Sequence, residues 1–518
     1  MTATSGYSAA FADSVDLLIV GGGINGCGIA RDAAGRGLRV LLVEQHDLAQ
    51  HTSSASTKLI HGGLRYLEYY EFGLVRKALQ EREVLLRMAP HISGPLSFVV
   101  PHAPAQRPAW LIRCGLFLYD HLARRELLPA SQSIRLAQHV AGAALQPGFT
   151  RAFVYADGWV DDARLVLLNA RDACERGAQV RTRTRCLTAQ AHAGAWHVTL
   201  QDAHGTQQVR AWALVNAAGP WAAQLANQCS PRQHRLRLVK GSHIIVPALF
   251  AHDYAYLFQN DDGRVMFAIP YQGQFTLIGT TDIDFDGDPA QVAISAAEID
   301  YLCTQAGRYF RQPVSAADVR ASYAGVRPLL DEGSDAAAVT RDYRLELQAD
   351  AAAPLLHVWG GKLTTYRKLA QEAMHLLLPH FPALPDHARR DWSHREPLPG
   401  GDLQQPGQLV QTLCLPEFSA QLAARYPFLP AALCQRLARA YGSRASRLLA
   451  QADSLAALGQ EFCPGLYEAE VRYLCAEEWA GSADDILWRR SKLGLWATPA
   501  QRAQLQAWLQ QHGLPRAD

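Results

Sequence analysis

Apolar residues crowd Leu17 to Val20, stop at Gly21-Gly22-Gly23, and return at Val40 to Val43 after a stretch rich in small residues. That pattern predicts a buried strand, a tight turn, a small-residue helix and a second strand over 15–44. Residues 213–222 (ALVNAAGPWA) read as a further strand ending in Ala-Gly-Pro. Between 241 and 285, apolar and turn residues alternate in GSHIIVP, RVMFAIP and FTLIGTTDIDF, as in antiparallel strands of a second, sheet-based domain. Residues 355–376 (LLHVWGGKLTTYRKLAQEAMHL) predict a strand, a Gly-Gly corner and a helix starting near Thr364 and Thr365. From about 385, Pro-rich connectors give way to Ala-, Leu-, Gln- and Arg-rich stretches of helical period, and a domain boundary is placed there.

One helical stretch is ambiguous. Residues 108–128 put Trp110, Leu111, Phe117, Leu118 and Leu122 at near-helical spacing, with Arg113, Arg124 and Arg125 among or after them. Such a helix can lie among lipid headgroups. Taken alone, the segment is read as an internal amphipathic helix packed on the core.

Composition narrows the class. A chain of 518 residues, 49% hydrophobic and 19% charged, is a soluble globular protein of two or three domains. A formal net charge of +2 lacks the basic excess that broad nucleic-acid binding needs, so no nucleic-acid partner is expected. The ten cysteines are scattered singly, without metal-binding or disulfide spacing, so no metal is expected and reduced thiols in a cytosolic compartment are the simplest reading. Residues 1–14 lack a basic start and an apolar core and read as a disordered tail, not a secretory signal. No run of 18 apolar residues spans a bilayer.

Gly21, Gly23 and Gly26 have the spacing G-x-G-x-x-G between a predicted strand and a predicted helix, the context a dinucleotide-binding turn requires. The glycines let the backbone approach a pyrophosphate, and the helix N-terminus offers it free N–H groups and a positive dipole end. Glu44, ending the second strand, can accept hydrogen bonds from a ribose and disfavours a 2′-phosphate. This turn suits NAD and FAD equally. The second corner, Gly360-Gly361-Lys362-Leu363-Thr364, again opens a helix, whose N-terminus can stabilise negative charge on a reduced flavin ring. That favours FAD, with the loop SSASTKLIHGG (53–63) as a wall for the ring.

Arg65, Arg327, Arg341 and Lys362 stand beside glycine, proline or aromatic residues, and converging cations suit a small anionic substrate. Oxidising an alcohol also needs a base, for which His61 and His243 are the candidates in suggestive motifs.

With these motifs, and with SSASTKLIHGGLRYLEYYEFGLV, EREVLLRMAPHI, WVDDARLV, VNAAGPW, KGSHIIVP, IGTTD, GVRPL, TRDY and GGKLTTYRKLA, the chain resembles the FAD-dependent glycerol-3-phosphate dehydrogenases of bacteria. These aerobic respiratory enzymes fall within the D-amino-acid-oxidase-like class of flavoproteins. YEAEVRYLCAEEWAGSADDILWRR is similar to the family's helical domain, and the resemblance covers roughly residues 15–496. It departs at Cys27, where alanine is usual, and in the longer leading tail.

The resemblance implies an α/β (α+β) fold. A Rossmann-like FAD-binding domain over 15–384 would interleave with an antiparallel substrate (cap) domain, mainly 85–150 and 225–340, before a helical domain over 385–518. It implies that Ser53, Ser54, Lys58, Leu59 and His61 line the flavin with Gly219, Gly361, Leu363 and Thr364, and that Arg65, Tyr66, Arg327, Arg341 and Lys362 hold glycerol 3-phosphate. His243, with Arg327, falls where the substrate hydroxyl loses its proton. The expected reaction is hydride transfer from C2 to flavin N5, giving dihydroxyacetone phosphate, with electrons passed to ubiquinone or menaquinone. A homodimer bound peripherally to the cytoplasmic face of the inner membrane is expected, which raises the interfacial reading of 108–128. The rivals are a glycerol-3-phosphate oxidase using oxygen, an amine or amino-acid oxidase on the same fold, and a flavin-binding interaction protein without turnover.

Overall fold

The computed structural model describes residues 14–103, 107–229, 233–330, 342–348, 353–403 and 415–513. The predicted strand–turn–helix–strand forms as strand β1 (Ser14–Val20), helix α1 (Ile24–Gly35) and strand β2 (Val40–Val43). These strands belong to a sheet in which Leu355–Trp359, Gly205–Asn216, β1, β2 and Gln179–Arg181 run parallel in that order. Arg344–Gln348 adds an antiparallel edge. Parallel strands are covered on both faces, which is why Val40–Val43 is apolar without alternation and buried throughout. Helix α1 packs between helices Asp162–Glu175 and Tyr366–Leu377. Its small residues permit this: a Cβ on Gly28 would lie 2.7 Å from the Tyr366 ring.

The second sheet is built around the long strand Leu236–Pro247, which pairs antiparallel with Phe275–Gly279 and Ala321–Leu330. The alternating segments of 241–285 are its strands. The sheet also draws on Leu59–Ile60 and Arg151–Val160, so the chain passes between the two sheets several times.

Residues after 415 form helices around a core of their own, from Leu422 to Leu509. Buried ion pairs dock this unit on the helix Asp162–Glu175 and on the loop after β2. Arg164 donates to both oxygens of Glu478 at 2.5 and 2.9 Å, and Arg490 pairs with Asp47. Removing one partner of such a pair strands the other charge away from water. Arg164→Met is therefore expected to lower the free energy of unfolding by about 3–5 kcal/mol, read from chemical denaturation.

The helix expected in 108–128 forms over Ala109–His121, but it is not turned wholly inward. Leu116 and Tyr119 enter the core, whereas Trp110 (69% exposed), Leu111, Phe117 (58%) and Leu118 face outward. Only part of its apolar surface finds a protein partner, contrary to the packing expected from the segment alone. No helix among the described residues is long and apolar enough to cross a membrane.

Candidate active site

The first glycine corner is a cradle with no room for side chains. Gly21 has φ +117°, and a Cβ there would lie 2.3 Å from the Ala217 carbonyl oxygen. A Cβ on Gly26 would lie 1.9 Å from the Gly21 carbonyl oxygen. Helix α1 begins after Gly23 with no side-chain cap from that residue and no acid in its first turn, which leaves its N-terminal amides to groups from outside the helix. Glu44 accepts from the Gly22 and His46 amides at 2.7 and 2.8 Å, which places its buried carboxylate against the turn. Burial raises its pKa, partly opposed by those amide bonds. Gly219, at φ +56°, opens a short turn beside this corner, after the strand that pairs with β1.

The two glycine corners meet, although 335 residues separate them. The Asn25 amide donates to the Gly360 carbonyl at 2.9 Å, and a Cβ on Gly361 would lie 2.5 Å from the same amide. Asn25 Oδ1 is buried without a partner. Behind the corner, Thr364 accepts from the His61 amide at 3.2 Å, and Leu363 packs on the core of the first sheet. The loop of residues 52–63 is thus clamped to both corners. Ser53 Oγ accepts from the Ile24 amide at 3.0 Å, while Ser54 Oγ turns back toward the His51 carbonyl at 3.4 Å. Asp157, held by Arg82 at 2.6 Å, and the Tyr119 hydroxyl anchor the Gly62 amide. Leu59 is buried in a short strand opposite Trp159.

Lys58 does not present its ammonium freely beside this loop. It lies 2.9 Å from both oxygens of Asp162, 3.1 Å from the Ser54 carbonyl and over the Tyr323 ring. Burial would lower its pKa, but Asp162 outweighs that and raises it, so it remains a cation. Its place is beneath the loop, as a brace.

The opposite wall is one face of the second sheet. Cross-strand register places His243 opposite Tyr323, Gly241 opposite Gly325, and Val239 opposite Arg327, so His243 and Arg327 share a face with a bare glycine pair between them. A Cβ on Gly325 would lie 2.6 Å from that of Ala55, and one on Gly279 would enter the His243 ring. The imidazole stacks on Tyr323, its Nε2 is 2.9 Å from Thr57 Oγ1, and its buried Nδ1 has no partner. Burial first, then Lys58 and Arg327, push its pKa down to about 3.

Of the predicted cations, Lys362 stacks over Tyr66 at 4.1 Å, joining the two motifs. Burial lowers the pKa of half-buried His61, Asp157 opposes this, and Lys362, Arg327 and Arg82 lower it further. Arg327 is about half exposed, 3.8 Å from Asp282. Arg65 is exposed on the turn Leu64–Tyr69, one residue before the Tyr66 ring that Lys362 covers. Arg341 lies outside the described residues.

Asn25 and Thr57 were missed by sequence reasoning. Asn25 sits inside the glycine fingerprint, where any residue is allowed, and Thr57 has a role only through a histidine 186 positions away.

The arrangement fits a dinucleotide bearing a flavin: a pyrophosphate cradle at one corner, a second helix start at the other, and Asn25, its Oδ1 unpartnered, where the two corners meet. Comparison with known proteins agrees. Residues 16–367 match the family described as FAD dependent oxidoreductase, and residues 392–511 match the C-terminal domain of alpha-glycerophosphate oxidase. A glycerol-3-phosphate dehydrogenase of Pseudomonas aeruginosa is 54% identical, covering 97% of this chain and 96% of its own length. A D-erythritol 1-phosphate dehydrogenase of Brucella abortus is 49% identical over 96% of this chain and 98% of its own. The crystal structure of a Bacillus halodurans glycerol-3-phosphate dehydrogenase complexed with FAD superposes with a TM-score of 0.73 and 26% identity, over 98% of this chain and 95% of that one.

Proposed function

The chain belongs to the FAD-dependent oxidoreductase family, and from that premise we propose that it oxidises sn-glycerol 3-phosphate to dihydroxyacetone phosphate. The observation that carries the reading is His243 and Arg327 on one sheet face, packed through Ala55 and Thr57 against the loop that is clamped to both glycine corners, with Lys362 at the second corner over Tyr66. When bound, FAD supplies the two-electron acceptor that takes hydride from C2 of the alcohol. Arg327 and Lys362 hold the phosphate, as charge-assisted hydrogen bonds do. His243 Nδ1 receives the hydroxyl proton.

A base must be neutral before it acts, and a pKa of about 3 keeps His243 so at pH 7. The acid limb of kcat is therefore expected well below the ordinary histidine value of 6.5. It is read on kcat because the second ionisation of the substrate phosphate, near pH ~6, enters kcat/KM. The same depressed value makes protonation favour the unfolded chain. Its contribution to stability is complete above 6.5 and is lost as the pH falls toward 3.

The electron acceptor in this proposal is a membrane quinone, reached from the cytoplasmic face of the inner membrane. An exposed patch supports it: Trp110, Leu111, Phe117 and Leu118 stand out from one helix, and that helix contacts the turn leading to Tyr69 and Tyr70 (79% exposed). Arg124 is exposed just beyond, suiting anionic headgroups. Trp110→Glu combined with Phe117→Glu is expected to weaken sedimentation with anionic vesicles by at least about tenfold, since each aromatic buries one to three kcal/mol (roughly) of apolar surface.

The Brucella relative gives a second polyol phosphate to weigh. Turnover under argon with a soluble quinone, comparing sn-glycerol 3-phosphate with D-erythritol 1-phosphate, tests the assignment. Higher kcat/KM for glycerol 3-phosphate, with one quinol per dihydroxyacetone phosphate, is expected. A preference for the four-carbon ester overturns the substrate, and stoichiometric peroxide in air at undiminished rate overturns the acceptor.

A further inference from the structure

The segment Asp485–Trp496 of the helical domain reaches both sheets. Arg489 and Arg490 pair with Asp47, just beyond Glu44, while Trp496 donates to Gln274 at 3.1 Å and packs edge-on against Phe275. Between these anchors Lys492 is buried, with its ammonium 2.8 Å from Asp161 Oδ1 and 3.2 Å from the Arg489 carbonyl. Asp161, which caps the helix Asp162–Glu175 and keeps about a fifth of its side chain exposed, is followed by the fully buried Asp162. Two adjacent carboxylates need two cations. Lys58 of the flavin loop supplies one and Lys492, from another domain, supplies the other.

From Asp162 the contacts run straight to the proposed base. Asp162 Oδ2 accepts from Ser56 Oγ at 2.7 Å, Tyr323 donates to the Ser56 carbonyl at 2.8 Å, and Thr57 Oγ1 meets His243 Nε2 at 2.9 Å. Lys58 itself has φ +60°, a left-handed backbone that a lysine adopts only when its surroundings hold it.

We infer that Lys492 is a positioning residue for proton removal: by satisfying Asp161 it leaves Lys58 to Asp162 and the Ser54 carbonyl, which fixes loop 52–58 and the Thr57 hydroxyl that holds His243. Without it, Asp161 competes with Asp162 for Lys58, and the loop loses its brace. Burial lowers the Lys492 pKa, Asp161 opposes this and nearby Lys58 adds to it, so the ion pair with Asp161 only partly offsets the cost of enclosing the ammonium. The helical domain, remote in sequence from every flavin motif, thereby contributes to the active site. This inference rests on the proposed oxidation of glycerol 3-phosphate.

The test uses the full-length, FAD-loaded protein, with Lys492→Met and Lys492→Arg beside the unaltered chain. Anaerobic flavin bleaching by saturating sn-glycerol 3-phosphate is timed by stopped flow. In the same preparations, amide hydrogen exchange is followed in peptides covering 52–60 and 433–449. Lys492→Met is expected to slow bleaching about 10- to 100-fold, with half-saturation changed less than about threefold. It is also expected to speed exchange in 52–60 but not in 433–449, and Lys492→Arg is expected to restore both. Bleaching by Lys492→Met within about twofold of the unaltered protein overturns the inference. So does faster exchange in both peptides, or in neither, because the residue would then hold the domain as a whole or hold nothing in the loop. If glycerol 3-phosphate fails to bleach the unaltered protein, the proposed function fails instead, and the exchange comparison alone decides whether Lys492 fixes the loop.

Discussion

His243→Ala is expected to lower kcat with sn-glycerol 3-phosphate by about 10²- to 10⁴-fold, the range of a positioned general base. FAD content should be unchanged, because the imidazole contacts Thr57 and Tyr323, not the glycine corners. The ring is buried and its Nδ1 has no protein partner, while the depressed pKa keeps it neutral but weakens it as a proton acceptor, which places the effect toward the lower end of that range. Half-saturation should move little, since Arg327 and Lys362 remain to hold the phosphate. Rapid-reaction absorbance of the anaerobic variant checks the rate, and an FAD-to-protein ratio from the denatured supernatant checks the cofactor. An unchanged rate assigns proton removal to another group, His61 being nearest among the candidates already raised.

The second large effect concerns the cofactor. Gly26→Val is expected to yield a colourless protein. The first carbon of any side chain at this position would lie 1.9 Å from the Gly21 carbonyl oxygen, which is backbone and has no rotamer to change. Either the turn opens or helix α1 shifts, and both move the amides that face the pyrophosphate. Overpacking of this kind costs about 1–3 kcal/mol or more even where side chains can adjust. Visible absorbance during purification, and a melting curve with and without added FAD, measure the outcome. Gly37→Ala is the control, because nothing lies within 4 Å of the new carbon, although its φ of +91° gives that change some local strain.

Much of this site was legible in local pattern. Gly21, Gly23, Gly26 and Glu44 form one continuous supersecondary unit, and within some thirty residues the strand, turn and helix dictate one another. The second corner announced itself by Gly360-Gly361, whose φ values of +70° and +114° are ones glycine adopts readily. The strands of 241–285 followed from alternation, and alternation also puts His243 and Arg327 on one face once the partner strand is known.

What stayed hidden was what covers each face. A period of two or 3.6 says which side of an element is apolar, and nothing about which segment lands on it. Lys58 read as a residue facing the cofactor, because its partner Asp162 lies 104 positions on, in a motif legible only as a helix start. The outward face of Ala109–His121 looked like core for the same reason. The helical domain carried no chemistry in its sequence, yet its Lys492 and Arg490 are buried against the flavin-binding half.

The central claim is that this flavin cradle and this cation cluster serve one phosphorylated alcohol. Anaerobic titration of the yellow protein with sn-glycerol 3-phosphate, following flavin absorbance, tests it most directly. Bleaching with glycerol 3-phosphate, and none with glycerol or inorganic phosphate, is the predicted result. A flavin that dithionite bleaches but glycerol 3-phosphate leaves yellow would contradict the account.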